Sequence, residues 1–192
     1  MPPKKSFTRE HILRHALALI RDEGLPSLSA RKLAQRMGSS TAPVYQAFES
    51  MAALQEEVMT LIKQIALDHT RKDHADRRFL SIGMGFTIFA RDDSELFKAF
   101  HLENQHQRHL VDELFDELKT DMLNDARFTH LTDVERQELL DKMWTFAFGM
   151  STQICYGLIE NPTDAYIEKK LVDTGTIIIK DALSKAGPKN NQ

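Results

Sequence analysis

The chain has 192 residues, of which 42% are hydrophobic and 28% are charged, the balance of an ordinary folded domain. Its 8 glycines and 6 prolines exclude collagen-like and proline-rich architectures, and its single cysteine excludes a disulfide scaffold and the usual cysteine-based zinc sites. The formal net charge is −3, yet residues 1–50 carry eight Lys/Arg against four Asp/Glu, and the remaining residues carry 17 against 24. This basic first quarter keeps nucleic acid among the candidate partners in spite of the negative total.

The sequence shows no pattern of a membrane span or of a secretory signal. Its best apolar stretch, residues 79–90, is 12 residues long, whereas a helical span needs about 20. The lysines near the N-terminus are not followed by an apolar segment, and the lone thiol of Cys155 suits a reducing compartment. We therefore expect a cytoplasmic protein.

Hydrophobic residues recur at helical spacing along most of the chain, and the period-two alternation typical of strands is absent. The first predicted helix begins after Thr8, a good N-cap residue, and ends at Gly24. A second helix begins at Ser27 or Ser29 and ends at Gly38. The sequence therefore predicts two short helices at its start.

A third short helix is expected just beyond, capped by Ser39 or Ser40 with Pro43 in its first turn. Ser50 is expected to cap a longer helix that runs to about residue 70. A strongly charged stretch follows this helix, and further helices are predicted after it. They span about residues 76–91, 94–105, 107–124, 133–160 and 163–185.

We expect an all-α fold of about nine helices, with a three-helix domain over residues 1–50 and a helical domain over residues 51–192. The second and third helices have the spacing of a helix-turn-helix motif. Ala34 is small where the two helices cross, Gly38 stands in the turn, and Val44 packs the third helix back on the second. A tight, near-perpendicular helix pair requires residues of these sizes at these offsets.

Polar side chains on the outer face of the third helix suit a DNA major groove: Ser40, Thr41, Tyr45 and Gln46. Arg31 and Lys32 flank this face from the second helix. Arginine can hydrogen-bond guanine through two donors, and hydroxyl groups can hold phosphates. Two alternatives remain open: the motif can serve a purely structural purpose, and the ring of Tyr45 can be half-buried in packing.

Residues 8–54 closely resemble the DNA-binding region of TetR-family transcriptional regulators. The residues that carry the resemblance are Ala16, Gly24, Leu28, Ser29, Arg31, Leu33, Ala34, Gly38, Tyr45, Phe48 and Leu54. The resemblance implies a homodimer whose C-terminal body dimerises through its last two long helices and often holds a small effector. By position, it also implies base or nearby backbone contacts for Arg31, Thr41, Ala42, Tyr45 and Gln46, and phosphate contacts for Ser29, Ser40 and Tyr45.

The chain departs from the family at one position of this motif. Met51 stands where the family usually has a lysine, three residues after the aromatic Phe48. The family's lysine contacts phosphate. In this chain the candidates for that contact are Lys4, Lys5 and Arg9.

Aromatic residues and methionines of the body can form either a plain core or the wall of an effector cavity, because the pattern reports burial alone. The candidates for an effector pocket are Phe86, Phe89, Met143, Trp144 and Phe148. That a pocket exists is implied by the resemblance. The effector expected there is small and either apolar or amphipathic.

A group of histidines invites comparison with a metal site. His106, His109 and Glu113 share one face of a predicted helix. The surrounding segment is strongly polar, however, and a solvated helix face explains it, so we predict neither a metal nor a cofactor.

The helix predicted over residues 133–160 is apolar on more than one side, and such a helix must be covered on all of those sides. The last helix adds another apolar face, and pairing both with a two-fold mate gives a four-helix interface. We predict a homodimer through residues 133–185, which would bind an approximately palindromic operator.

The combined interpretation is a DNA-binding transcriptional regulator, a repressor that a small-molecule effector releases from its operator. The alternative is a helix-turn-helix protein that is regulated by a protein partner and has no small ligand. An enzyme is disfavoured because the sequence has no nucleophile elbow, phosphate-binding glycine loop, HExxH motif or evident carboxylate pair.

Overall fold

The computed structural model describes residues 7–103, 112–113, 116–117, 119–120, 122–129 and 131–185. Within these residues the chain is all-α, as predicted, with eight α-helices and no strand. The helices are α1 (Arg9–Glu23), α2 (Ala30–Met37), α3 (Ala42–Ala47), α4 (Met51–Arg71), α5 (Arg78–Asp92), α6 (Ser94–His101), α7 (Asp133–Cys155) and α8 (Asp164–Lys185). The helix predicted at 107–124 lies partly outside the described residues.

Contacts divide the chain into two compact units, residues 1–65 with 93–111 and residues 66–92 with 112–192. Their boundary falls inside α4, after Ile65. The units group residues by proximity. They do not test the division at residue 50 into a DNA-binding and an effector-binding domain, which stays a prediction.

The first unit is built on α1, which packs against α2 and α6. One face of α1 is buried, through Ile12, Ala16, Leu19 and Ile20, as its helical spacing predicts. Thr8 caps the helix, because its hydroxyl oxygen accepts the N–H of His11 at 3.2 Å. Gly24 ends it with φ at 79°. Both predicted ends of α1 are confirmed.

Helix α7 ends at Cys155, so the predicted end at residue 160 is wrong. The cause is Gly157, which adopts a left-handed backbone with φ at 68°. The N–H of Gly157 donates to the carbonyl of Ile154 at 3.0 Å, and that of Leu158 donates to Gln153 at 2.9 Å. This Schellman motif satisfies the last carbonyls of the helix and turns the chain away.

Helix α5 is the centre of the second unit and packs against both α7 and α8. Its buried side chains point in several directions, as expected for a helix that neighbours cover on most sides. A Cβ atom at Gly85 would lie 2.2 Å from the carbonyl oxygen of His69 on α4. The close approach of these two backbones therefore requires glycine.

No helix among the described residues is long and apolar enough to cross a membrane.

Candidate nucleic-acid interface

Helices α2 and α3 form the predicted helix-turn-helix, and its seam is buried. The side chains that fill the seam are Leu33, Ala34, Met37 and Val44. Gly38 stands between the helices in the left-handed region, with φ at 63° and ψ at 42°. The N–H of Ser39 then reaches back to the carbonyl of Ala34 at 2.9 Å, so the turn is as tight as the sequence predicts.

The two helices of the motif begin differently. The hydroxyl oxygen of Ser29 accepts the N–H of Lys32 at 3.3 Å, which confirms Ser29 as the cap of α2. The expected cap of α3 is wrong: the N-cap is Thr41, without a side-chain hydrogen bond. Ser39 does not cap α3 because it belongs to the turn that ends α2. Its hydroxyl donates to the carbonyl of Ser40 at 2.9 Å.

All eight residues predicted to contact DNA are exposed, namely Ser29, Arg31, Lys32, Ser40, Thr41, Ala42, Tyr45 and Gln46. Tyr45 is 56% exposed, so its ring does not serve the core. The inward positions of the same segment are Val44 and Phe48, which are 1% and 2% exposed. The segment thus separates an apolar inner face from a polar outer one.

The basic side chains beside this face differ in whether they are paired with a carboxylate. Lys32 Nζ lies 2.7 Å from Glu23 Oε2, and Arg36 Nη2 lies 2.5 Å from Asp22 Oδ2. Solvent-exposed pairs of this kind are worth at most about 1 kcal/mol and can be exchanged for phosphate. The side chain of Arg31 makes no hydrogen bond or ion pair with any other residue that the structure describes.

Arg9 fixes the position of α3, a role that the sequence did not reveal. Its Nε donates to Glu57 Oε2 at 3.0 Å, and a second nitrogen donates to the other oxygen of that carboxylate. Its remaining nitrogen donates to the carbonyl of Ala47, the last residue of α3, and the guanidinium stacks 4.3 Å from the centroid of the Phe48 ring. Arg9 therefore joins α1, α3 and α4.

The contacts of Arg9 bear on position 51, where the family usually has a lysine and this chain has Met51. Arg9 is one of the three cations named above as candidates for the phosphate contact of that lysine. In the structure its guanidinium is bonded to protein groups instead. Lys4 and Lys5 lie outside the described residues.

The structure brings three of the five effector-pocket candidates to one cavity of the second unit. Phe86, Met143 and Trp144 line a space of about 40 Å³ between α5, α7 and α8. Phe148 stacks on Trp144, with ring centroids 6.1 Å apart, and the fully buried Phe89 packs 5.5 Å from the ring of His69. A pocket for a small organic ligand has about 300 Å³ or more, so this cavity is small in the conformation described.

A larger recess of about 380 Å³ lies elsewhere in this unit. It is lined mostly by polar and charged side chains, with two apolar ones: Asp116, Lys119, Thr120, Met122, Leu123, Asp133, Arg136 and Gln137. Neighbouring residues 118, 121 and 130 are outside the described part of the chain, so we assign it no ligand.

The histidines considered for a metal site, His106 and His109, also lie outside the described residues. Among the residues that are described, no group of three or more His, Cys, Asp or Glu side chains could hold a metal ion.

Comparison with known protein families gives a match near the start of the chain. Residues 12–58 match the family model described as bacterial regulatory proteins, tetR family. No curated protein matches the chain. The matched segment runs from α1 into α4 and includes every residue predicted to contact DNA.

Proposed function

We propose that this chain, whose residues 12–58 match the tetR family model, is a TetR-family DNA-binding transcriptional regulator. It would act as a homodimeric repressor that reads an approximately palindromic operator with α3. The observation that carries the proposal is the outer face of the α3 segment, where polar side chains are exposed over an apolar seam. An exposed helix face of hydroxyls, a phenol and an amide suits hydrogen bonding in a major groove.

The roles within this face follow from the chemistry of each side chain. The amide of Gln46 matches the donor and acceptor edge of adenine, and the methyl group of Ala42 can contact that of thymine. The hydroxyls of Ser29 and Ser40 suit phosphate contacts, which orient the protein on the duplex. Arg31, whose side chain has no partner among the described residues, suits either a base edge or a phosphate.

Exposed apolar side chains on α8 and just beyond the end of α7 support the dimer. Tyr166 and Ile177 are 36% and 71% exposed. Their separation of eleven residues is close to three helical turns, so they share one face of α8. Tyr156 and Leu158, just beyond α7, are 61% and 74% exposed. We assign these side chains to the dimer interface because exposed apolar patches mark protein interfaces. A two-fold dimer would present two α3 segments to one duplex.

Effector control would act through the second unit. A small apolar or amphipathic molecule that binds among Phe86, Met143 and Trp144 would favour one conformation, and DNA affinity would fall if that conformation spaces the two α3 segments wrongly. Helix α4 contributes residues to both compact units and is the element through which we expect the change to pass.

The small size of the cavity favours one competing proposal, in which a protein partner regulates the chain and no small ligand binds. The two proposals differ in what changes operator affinity. A small organic molecule added to the purified protein does so under the first proposal, and only a second protein does so under the competing one.

Selection of bound fragments from random DNA by the purified chain tests the proposed function. We expect an enriched, approximately palindromic motif. Gln46→Ala should relax the preference at one base pair of each half-site. Gln35→Ala, which replaces an exposed glutamine on α2, should leave the motif unchanged. An absence of any enriched motif, or equal effects of the two variants, would contradict α3 as the reader.

A further inference from the structure

A second small cavity lies beside the one that contains Trp144. Its volume is about 30 Å³. The two cavities share three lining residues, Phe79, Met143 and Leu171. Because they meet at Met143, whose unbranched side chain can change rotamer, a movement of that side chain would join them into one elongated space between α5, α7 and α8.

The two cavities differ in charge. The lining of the first consists of Gly83 and apolar side chains, whereas the second includes the guanidinium side chains of Arg77 and Arg127. An elongated space formed from both would therefore be apolar at one end and positive at the other.

One of the two arginines is already neutralised. Arg127 Nε lies 2.9 Å and 3.2 Å from the two carboxylate oxygens of Asp125, and a second nitrogen of Arg127 also bonds that carboxylate. This pairing lowers the pKa of Asp125 below its usual value and keeps the carboxylate charged.

Arg77 has no hydrogen-bonded carboxylate of this kind. It is exposed, and its backbone carbonyl accepts the N–H of Ser81 at 2.9 Å. Its side chain makes no hydrogen bond or salt bridge with any other residue that the structure describes, although its charge helps to lower the pKa of Asp125. The two arginines and Asp125 together leave one positive charge at this end of the cavity, which a single carboxylate would balance.

We propose, on the basis of the effector role proposed above, that the effector is an amphipathic carboxylate whose apolar chain lies against Phe79, Met143 and Leu171 and whose carboxylate pairs with Arg77. The apolar chain gains from burial, and a guanidinium binds a carboxylate through two parallel hydrogen bonds. Arg77 is thus the residue that selects an anion over a neutral or cationic molecule of the same length.

The chain offers its own probe for this site. Trp144 is the only tryptophan and lines the apolar cavity, so its fluorescence reports on occupancy. We would titrate the purified chain with decanoate, decan-1-ol and decyltrimethylammonium below their micelle concentrations. We expect saturable binding of decanoate, binding of the alcohol at least about tenfold weaker, and no saturable response to the cation.

Two variants test the part played by Arg77. Arg77→Gln should weaken decanoate binding about tenfold or more and leave decan-1-ol binding unchanged. Arg71→Gln removes another exposed arginine of the same unit, one that pairs with Glu117 at 2.9 Å, and should leave both affinities unchanged. Equal affinities for decanoate and decan-1-ol, an unaffected Arg77→Gln variant, or no binding of any probe would each overturn the proposal.

A parallel measurement of operator binding separates this proposal from the proposed function. If the chain binds operator DNA and none of the probes, the anionic effector is wrong and the DNA-binding proposal stands. If decanoate binds through Arg77 and no DNA motif is selected, the ligand site stands without a regulatory role.

Discussion

Arg9 donates a hydrogen bond to the carbonyl oxygen of Ala47, so a side chain at the start of α1 holds the last residue of α3. The same guanidinium also pairs with Glu57 on α4. With six residues, α3 is too short to be stable by itself, and its orientation depends on such anchors together with the buried Val44.

Replacing Arg9 with glutamine should therefore weaken operator binding several-fold while thermal stability changes little, because the ion pair is exposed to solvent. The comparison is with Arg14→Gln, which removes an equal charge from an exposed position of the same helix. Fluorescence anisotropy with a labelled operator measures both. If the two variants lose affinity equally, Arg9 acts through its charge alone and does not anchor α3.

Two glycines of α5 should respond in opposite ways to alanine. A Cβ at Gly85 would lie 2.2 Å from a backbone oxygen of α4, whereas one at Gly83 would lie 3.5 Å from the flexible side chain of Leu171. Gly85→Ala should lower the free energy of unfolding by about 1–3 kcal/mol. Gly83→Ala should be neutral or stabilising by up to about 1 kcal/mol, since alanine favours the helix. Chemical denaturation measures both, and a harmless Gly85→Ala variant would contradict the close helix approach.

His101 makes stability depend on pH. Its ring lies 4.6 Å and 4.8 Å from those of Phe97 and Phe100, and burial lowers its pKa from 6.5 to about 3. As the pH falls below about 6.5 the unfolded chain takes up a proton that the folded chain does not, so folding stability is lost progressively towards pH 3.

His101→Leu removes this pH dependence. The free energy of unfolding of the unmodified chain, relative to that of the variant, should fall by on the order of 1–2 kcal/mol between pH 7 and pH 5. Urea denaturation at the two pH values provides the measurement. A difference that stays constant with pH would show that the ring is solvated or already charged.

The proposed dimer should depend on the exposed apolar face of α8. A lysine in place of Ile177, which is 71% exposed, would place a charge inside the predicted interface and dissociate the dimer. Leu61→Lys alters another exposed apolar residue, on α4, and should leave the dimer intact. Light scattering after size exclusion should give twice the 22.0 kDa of one chain for the unmodified protein. A value of 22.0 kDa for the unmodified protein would exclude the dimer.

Local patterns predicted much of the first unit. The stripe through Ile12 and Ala16, the cap at Thr8 and the turn at Gly38 all depend on residues within a few positions of one another. Each is therefore readable from spacing and conformational preference alone. The exposure of Thr41 and Gln46 followed from the same periodicity, whereas that of Tyr45 was left open.

Features that depend on distant partners could not be read in this way. The bonds of Arg9 span 38 and 48 residues, and no local pattern marks them. The end of α7 was missed because its apolar residues continue to Ile159, whereas the backbone turn at Gly157 decides where the helix stops. The burial of Phe86 and the partial burial of Met143 and Trp144 were predictable. The small volume that they enclose was not, since packing is a property of the folded chain.

Protection of guanine N7 from methylation tests the central claim most directly, because that atom lies in the major groove. Using a selected operator that contains guanines in both half-sites, the account predicts two protected clusters on one face of the duplex. Their centres should lie about 10–10.5 base pairs, or a multiple of this, apart, with protection weakened in the Gln46→Ala and Tyr45→Ala variants. A single cluster, unaltered protection in both variants, or an unprotected major groove would contradict it.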